Sequence, residues 1–121
     1  VPKAAKVLEG LLRELPDLVA VAVVQTDTGA TLAKHTTTDS LNPETAAAYN
    51  AEVVKQKQKA LAALHLPGET IDDILISLST QLHLIKLTPD GSKFIYLVAN
   101  AQHTSLAMAR EALRNSMEEL E

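Results

Sequence analysis

ILISLSTQLHLIKLTPDGSKFIYLVA, residues 74–99, holds three short apolar runs separated by turn-forming residues. ILISLS (74–79), LHLIKLT (82–88) and KFIYLVA (93–99) read as three antiparallel strands, because each is strand-length and bounded by turn signals. Thr88-Pro89-Asp90-Gly91 joins the second to the third. Its polar residues suit a type I turn, and Gly91 supplies the left-handed residue that closes it.

The same grammar recurs upstream. VAVAVVQ (19–25) and ATLAKHT (30–36) read as strands on either side of Thr26-Asp27-Thr28-Gly29. The first is almost continuously apolar, so both of its faces should be covered. Helices fill the remaining segments. Residues 2–15 place Ala4, Val7, Leu8, Leu11, Leu12 and Leu15 on one stripe, with Pro2 suited to the first turn and Pro16-Asp17 as the stop. Gly10 falls on the polar side of that helix, with no packing role visible. Asn42-Pro43-Glu44 is a helix start, with Asn as cap, Pro at the first position and an acid in the first turn. That helix should run to about His65 and stop at Leu66-Pro67-Gly68. A last helix spans 105–120, with Thr104 as its expected cap. The order is α-β-β-α-β-β-β-α. It predicts an α+β fold with a single antiparallel five-stranded sheet, helices on both faces, and one domain over residues 1–121.

Composition narrows the function. Of 121 residues 46% are hydrophobic and 2% aromatic, so the core is built from Leu, Val, Ile and Ala. The net charge is −4 and the only aromatic rings besides histidine are Tyr49, Phe94 and Tyr96. That argues against a nucleic-acid surface, which needs clustered cations and stacking rings. Cysteine is absent, so disulfides and thiolate metal sites are excluded. The longest apolar run, LVAVAVV (18–24), is far short of the ~20 residues of a membrane-spanning helix. No secretory leader pattern opens the sequence, and the absence of cysteine fits a cytoplasmic location; no membrane insertion is expected.

Asp27-Thr28-Gly29-Ala30 matches the signature of the retroviral aspartic proteases, whose dimers pair two such carboxylates to share a proton. Three features oppose that reading. Gln25 and Thr26, not apolar residues, lead into Asp27. Gly10, Gly29, Gly68 and Gly91 supply neither a glycine-rich flap nor a second apolar-Gly motif. Nearly half of the chain reads as helix, whereas those proteases are almost all β. Asp27 is therefore read as a turn residue. His35, His65, His83 and His103 form no pair at helical ligand spacing. His65 suits a helix C-terminus, and His83 reads as a surface or satisfied strand residue. No GxSxG, GxxxxGK[ST] or GxGxxG occurs. No catalytic residue, cofactor or metal site is expected.

The long helix carries the most unusual pattern. Ala46, Asn50, Val53, Lys57, Ala60 and Leu64 alternate in steps of four and three, as in a coiled-coil seam, with polar residues at two positions. The same spacing also fits a helix lying partly on the sheet, with Asn50 and Lys57 at its wet edge.

Three stretches together resemble the Roadblock family, the dynein light-chain Roadblock type and its bacterial and archaeal relatives. VLEGLLRELPDLVAVAVVQTDTGATLA (7–33) is similar to the family's opening helix, turn and first two strands. LISLSTQLHLIKLTPDGSKFIYLVAN (75–100) resembles its meander, and SLAMAREALRNSMEEL (105–120) its last helix. The resemblance implies a non-enzymatic homodimer in which the third strand and the long helix meet their copies in one continuous sheet. It also implies binding to a small Ras-like GTPase, or scaffolding of a multiprotein complex. The self-contact residues would then be Ala46, Asn50, Val53, Lys57, Ala60, Ile74, Ile76 and Leu78. Ile74 to Leu78 carries no Pro, Lys or Glu to protect a sheet edge. Lys55, Gln56 and Lys59, on the polar side of the long helix, are the expected partner surface. The other reading is a small-ligand sensor, since layered α/β domains of this kind also host pockets.

Overall fold

A computed structural model describes residues 2–66 and 68–121. In chain order the elements are α1 (Lys3–Glu14), β1 (Leu18–Gln25), β2 (Thr31–Thr36), α2 (Pro43–Ala63), β3 (Asp73–Ser77), β4 (Gln81–Leu87), β5 (Lys93–Asn100) and α3 (Leu106–Leu120). The five strands form one antiparallel sheet in the order β2-β1-β5-β4-β3. The fold class read from the sequence is the one observed. One strand is shorter than expected: β3 ends at Ser77, so Leu78 lies in the following turn, where its N–H donates to the Gln81 carbonyl at 2.9 Å.

The continuous apolar run of β1 is explained by its place between β2 and β5, with a helical layer on each side. Val21 and Val23 face α1 and α3, and Ala20, Ala22 and Val24 face α2. Leu11 of α1 and Leu113 of α3 are fully buried in the first layer. Each such Leu contributes roughly 1.5–3 kcal/mol through burial. The second layer uses smaller residues, Ala47, Ala51 and Val54 of α2, against Phe94, Tyr96 and Val98 of β5.

Two local readings need correction. Gly10 is half-buried and faces α3: a Cβ there would stand 3.7 Å from Ser116 Oγ. Ser105, not Thr104, caps α3, its Oγ accepting from Met108 N at 3.1 Å, while Thr104 is buried. Helix α2 ends close to the expected His65, at a Schellman-type turn: His65 N donates to Ala62 O at 3.1 Å and Leu66 N to Leu61 O at 3.4 Å. His65 takes the left-handed position, with φ +54°. Pro67, part of the expected stop, lies outside the described residues. At the other end of α2 the Asn42 cap is present, its Oδ1 accepting from Glu44 N at 2.9 Å and Thr45 N at 3.2 Å.

Candidate functional site

Helix α2 rests on β1 and β2. Its buried stripe is Ala47, Ala51 and Val54. These small side chains let the helix approach closely, and the β1–β2 loop uses the same closeness. Gly29 has φ +73°, and a Cβ on it would meet the Ala48 Cα at 3.3 Å. Lys55 Nζ donates to the Asp27 carbonyl at 3.2 Å, and pairs with Glu52 at 2.9 Å. Asp27 itself is exposed at the loop tip. It supplies a backbone oxygen to the helix, and its side chain faces solvent as in a plain turn.

The seam read from the sequence runs beside this buried stripe. Ala46, Asn50 and Ala60 are half-buried, Lys57 is exposed, and Val53 is 38% and Leu64 65% accessible. Tyr49 projects beside it, 73% accessible. Of the expected partner-surface residues, Gln56 and Lys59 are exposed, while Lys55 is committed to the Asp27 loop and Glu52.

The second half of the candidate site is β3, the outermost strand on that side of the sheet. Ile74 pairs with Ile85 and Ile76 with His83, which puts both isoleucines on the α2 side. Both are only half-buried. On the opposite side Leu75 meets the α1–α3 layer. There Arg110 of α3 holds Asp73 through two hydrogen bonds, Nε to Oδ2 at 2.9 Å and Nη2 to Oδ1 at 3.1 Å. This bidentate pair fixes the start of β3.

A polar chain on β4 and β5 lies between the two halves. The Tyr96 hydroxyl hydrogen-bonds His83 Nδ1 at 3.0 Å, and His83 Nε2 bonds Gln81 Oε1 at 3.0 Å. Burial pushes the Tyr96 pKa up, and the nearby Asn50 side chain partly offsets it. Burial pushes His83 down from its ordinary 6.5. His83 is thus a satisfied residue, as read. Its tie toward the seam was not read. The available signal was parity: His83 shares a strand face with Ile85 and Leu87, and the turn at 88–91 sets Tyr96 diagonally across from it.

Among the described residues no group of three or more His, Asp or Glu side chains could hold a metal ion, and no helix is long and apolar enough to cross a membrane. Two depressions flank the site. One, of about 260 Å³, lies between the end of α2 and the β4–β5 loop, with Leu61, Leu66, Ile71 and Pro89 in its walls. The other, of about 450 Å³, is lined by Asp72, Asp73, Lys86, Arg110 and Arg114. Its acids are already paired, Asp72 with Lys86 and Asp73 with Arg110.

No protein-family model and no curated protein matches the sequence. Solved structures match its shape. MglB of Myxococcus xanthus aligns with a TM-score of 0.83 at 15% identity, over 98% of this chain and 84% of that one. The Roadblock/LC7 domain from Streptomyces avermitilis aligns with a TM-score of 0.76 at 14% identity, over 95% and 92%. The chain has the Roadblock/LC7 fold. A further structure, described as MglB with a tetrameric arrangement, aligns at 0.77 and 19% identity, over 98% and 85%. The three stretches that resembled the family follow consecutive parts of this fold: 7–33 its first helix and strands, 75–100 its meander and 105–120 its last helix.

Proposed function

We propose that this chain is a non-enzymatic regulatory or scaffolding domain that acts as a homodimer and binds a small Ras-like GTPase or a multiprotein complex. A cytoplasmic location accompanies this reading. The observation that carries it is the continuity of two incompletely covered surfaces on one side of the molecule. Ile74 and Ile76 line the edge strand, and Asn50 and Val53 line the neighbouring helix. Beyond Asp73, which Arg110 already holds, the edge strand carries no protecting Pro or charge. Such an edge favours pairing with another chain, and pairing with its own copy closes under two-fold symmetry. The tetrameric arrangement described for MglB, which shares the fold, supports self-association. The GTPase is inferred from the Roadblock resemblance, with Gln56 and Lys59 as the free polar surface of α2.

A small-ligand sensor has less support. The apolar depression beside α2 is about 260 Å³, below the roughly 300–1,000 Å³ of ordinary ligand sites. The larger one is walled by two ion pairs, Asp72–Lys86 and Asp73–Arg110, and by Arg114. Shallow hollows of about 340, 420 and 350 Å³ lie elsewhere on the surface.

Light scattering behind size exclusion tests the dimer. The expected mass is twice 13.0 kDa at tens of micromolar, and Val53→Asp is expected to return it to the single-chain value by placing a charge in the seam. A wild type that runs as a monomer overturns the dimer. Titration with a small GTPase in its two nucleotide states tests the partner, and Lys59→Glu is expected to weaken that binding without unfolding the protein.

A further inference from the structure

His83 occupies an unusual position for a titratable group. It lies on β4 between Ile76 of the edge strand and Val98 of β5. Both ring nitrogens are engaged, and the ring meets Tyr96 edge to face at 5.6 Å between centroids. β3 brings Ile74 and Ile76. β5 brings Tyr96, whose ring is buried. β4 brings Gln81 on the same face, while Lys86 has opposite parity and pairs with Asp72. α2 brings Asn50, with Lys57 two turns further along the seam. Among the described residues no carboxylate acts on His83.

We propose, resting on the dimer reading above, that His83 makes association through the α2–β3 face sensitive to pH, the neutral ring favouring the paired state and the protonated ring opposing it. The hydrogen-bond chain gives the mechanism. In the neutral ring Nε2–H donates to Gln81 Oε1, and Nδ1 accepts from the Tyr96 hydroxyl. Protonation puts a hydrogen on Nδ1, which now donates to the Tyr96 oxygen. The tyrosine hydroxyl, which donated to His83, must turn its proton away. A seam that already contains Lys57 gains a positive charge behind it. Burying that charge against a second copy is unfavourable, and two-fold symmetry applies the penalty twice.

The sign follows from linkage. Burial lowers the pKa of His83 in the single chain, and covering by a partner lowers it further. Association is therefore complete above the single-chain pKa and is lost as pH falls through it, below 6.5.

Sedimentation equilibrium of the whole chain at pH 7.5, 6.5 and 5.5 tests this, with His83→Gln and, as a control on the far edge strand, His35→Gln. The expected result is a dissociation constant about tenfold or more weaker at pH 5.5 than at 7.5 in the wild type and in His35→Gln. His83→Gln should be flat. Because His83→Gln can perturb folding, the wild-type His83 ring is also titrated by NMR at high and low protein concentration, where a lower pKa at high concentration is expected. A dimer insensitive to pH, an equal pH response in a folded His83→Gln, or a His83 pKa independent of concentration overturns the switch and leaves the dimer reading standing. A monomer at every pH overturns both.

Discussion

Gly29 stands close against Ala48: a Cβ on the glycine would lie 3.3 Å from the Ala48 Cα, and its φ is +73°. The β1–β2 loop is thus seated on α2 by its backbone. Gly29→Ala is expected to cost about 1–2 kcal/mol, from the left-handed conformation alone, and more if the helix must shift. Asp27→Asn should stay within about 0.5 kcal/mol, because the Lys55 contact uses the Asp27 carbonyl and not its side chain. Urea denaturation of the two variants checks the contrast. A large loss in Asp27→Asn with none in Gly29→Ala would assign the loop's importance to the carboxylate.

Two helix positions hold avoidable cost. Gly10 has ordinary helical backbone and space for a methyl group, the nearest atoms being Ser116 Oγ at 3.7 Å and Arg13 Nη2 at 3.9 Å. Gly10→Ala should stabilise by about 0.5–1 kcal/mol. His65 sits at φ +54° at the end of α2, where glycine is favoured. His65→Gly should stabilise by a similar amount, on the order of 1 kcal/mol. The sites are on different helices and opposite faces of the sheet, so their effects should add. Thermal unfolding of the two single variants and the double variant checks this.

The Gly10 case shows where sequence reading ended. Strands β1, β4 and β5 were legible because their apolar runs are bounded by local turn chemistry, Asp27 to Gly29 and Asp90 to Gly91. The buried stripes of α1 and α3 were legible from spacing alone. What α1 packs against was not, since only the α1–α3 approach turns Gly10 inward toward Ser116. Likewise the spacing of α2 gave the seam but not which neighbouring stripe the sheet takes, Ala47, Ala51 and Val54. The Tyr96–His83 hydrogen bond spans a single hairpin and lay within reach of strand parity, whereas the approach of Asn50, on α2, depends on packing that no local pattern encodes.

Asp90 gives a pH prediction with a definite sign. Its carboxylate accepts from the Ser92 N–H, the Thr88 hydroxyl and the Ser92 hydroxyl at 2.8–2.9 Å, which lowers its pKa from 3.8 to about 2. The hydrogen bond from the Ser92 backbone is the largest cause. A lowered carboxylate pKa stabilises the fold above the unfolded value of 3.8, and that contribution is lost as pH falls toward about 2. A carboxyl NMR titration of Asp90 should show a midpoint near 2, with the Ser92 amide shift moving in step. A midpoint at the ordinary value would mean that the three hydrogen bonds do not persist in solution.

The edge strand offers the most selective test of self-pairing, through backbone parity. Leu78 N donates to Gln81 O, and Leu87 N to Asp72 O. In the β3–β4 register these are pairs 78–81 and 72–87, so the even-numbered residues of β3 bond inward to β4. The N–H groups of Asp73, Leu75 and Ser77 therefore point outward, to the free edge. Ile76→Pro would break the inner ladder and destabilise the fold itself. Ser77→Pro removes an outward donor from an exposed residue at the strand's end, and leaves the inner ladder whole. The expected outcome is a Ser77→Pro protein that melts within a few degrees of the wild type and pairs at least about tenfold more weakly, a loss of about 1.4 kcal/mol. Ile76→Pro should lower the melting temperature whether or not the chain pairs. Light scattering over a dilution series, run beside thermal unfolding, separates the two effects. If Ser77→Pro associates as tightly as the wild type, the chains do not meet through the backbone of β3, and any dimer must form through α2 alone.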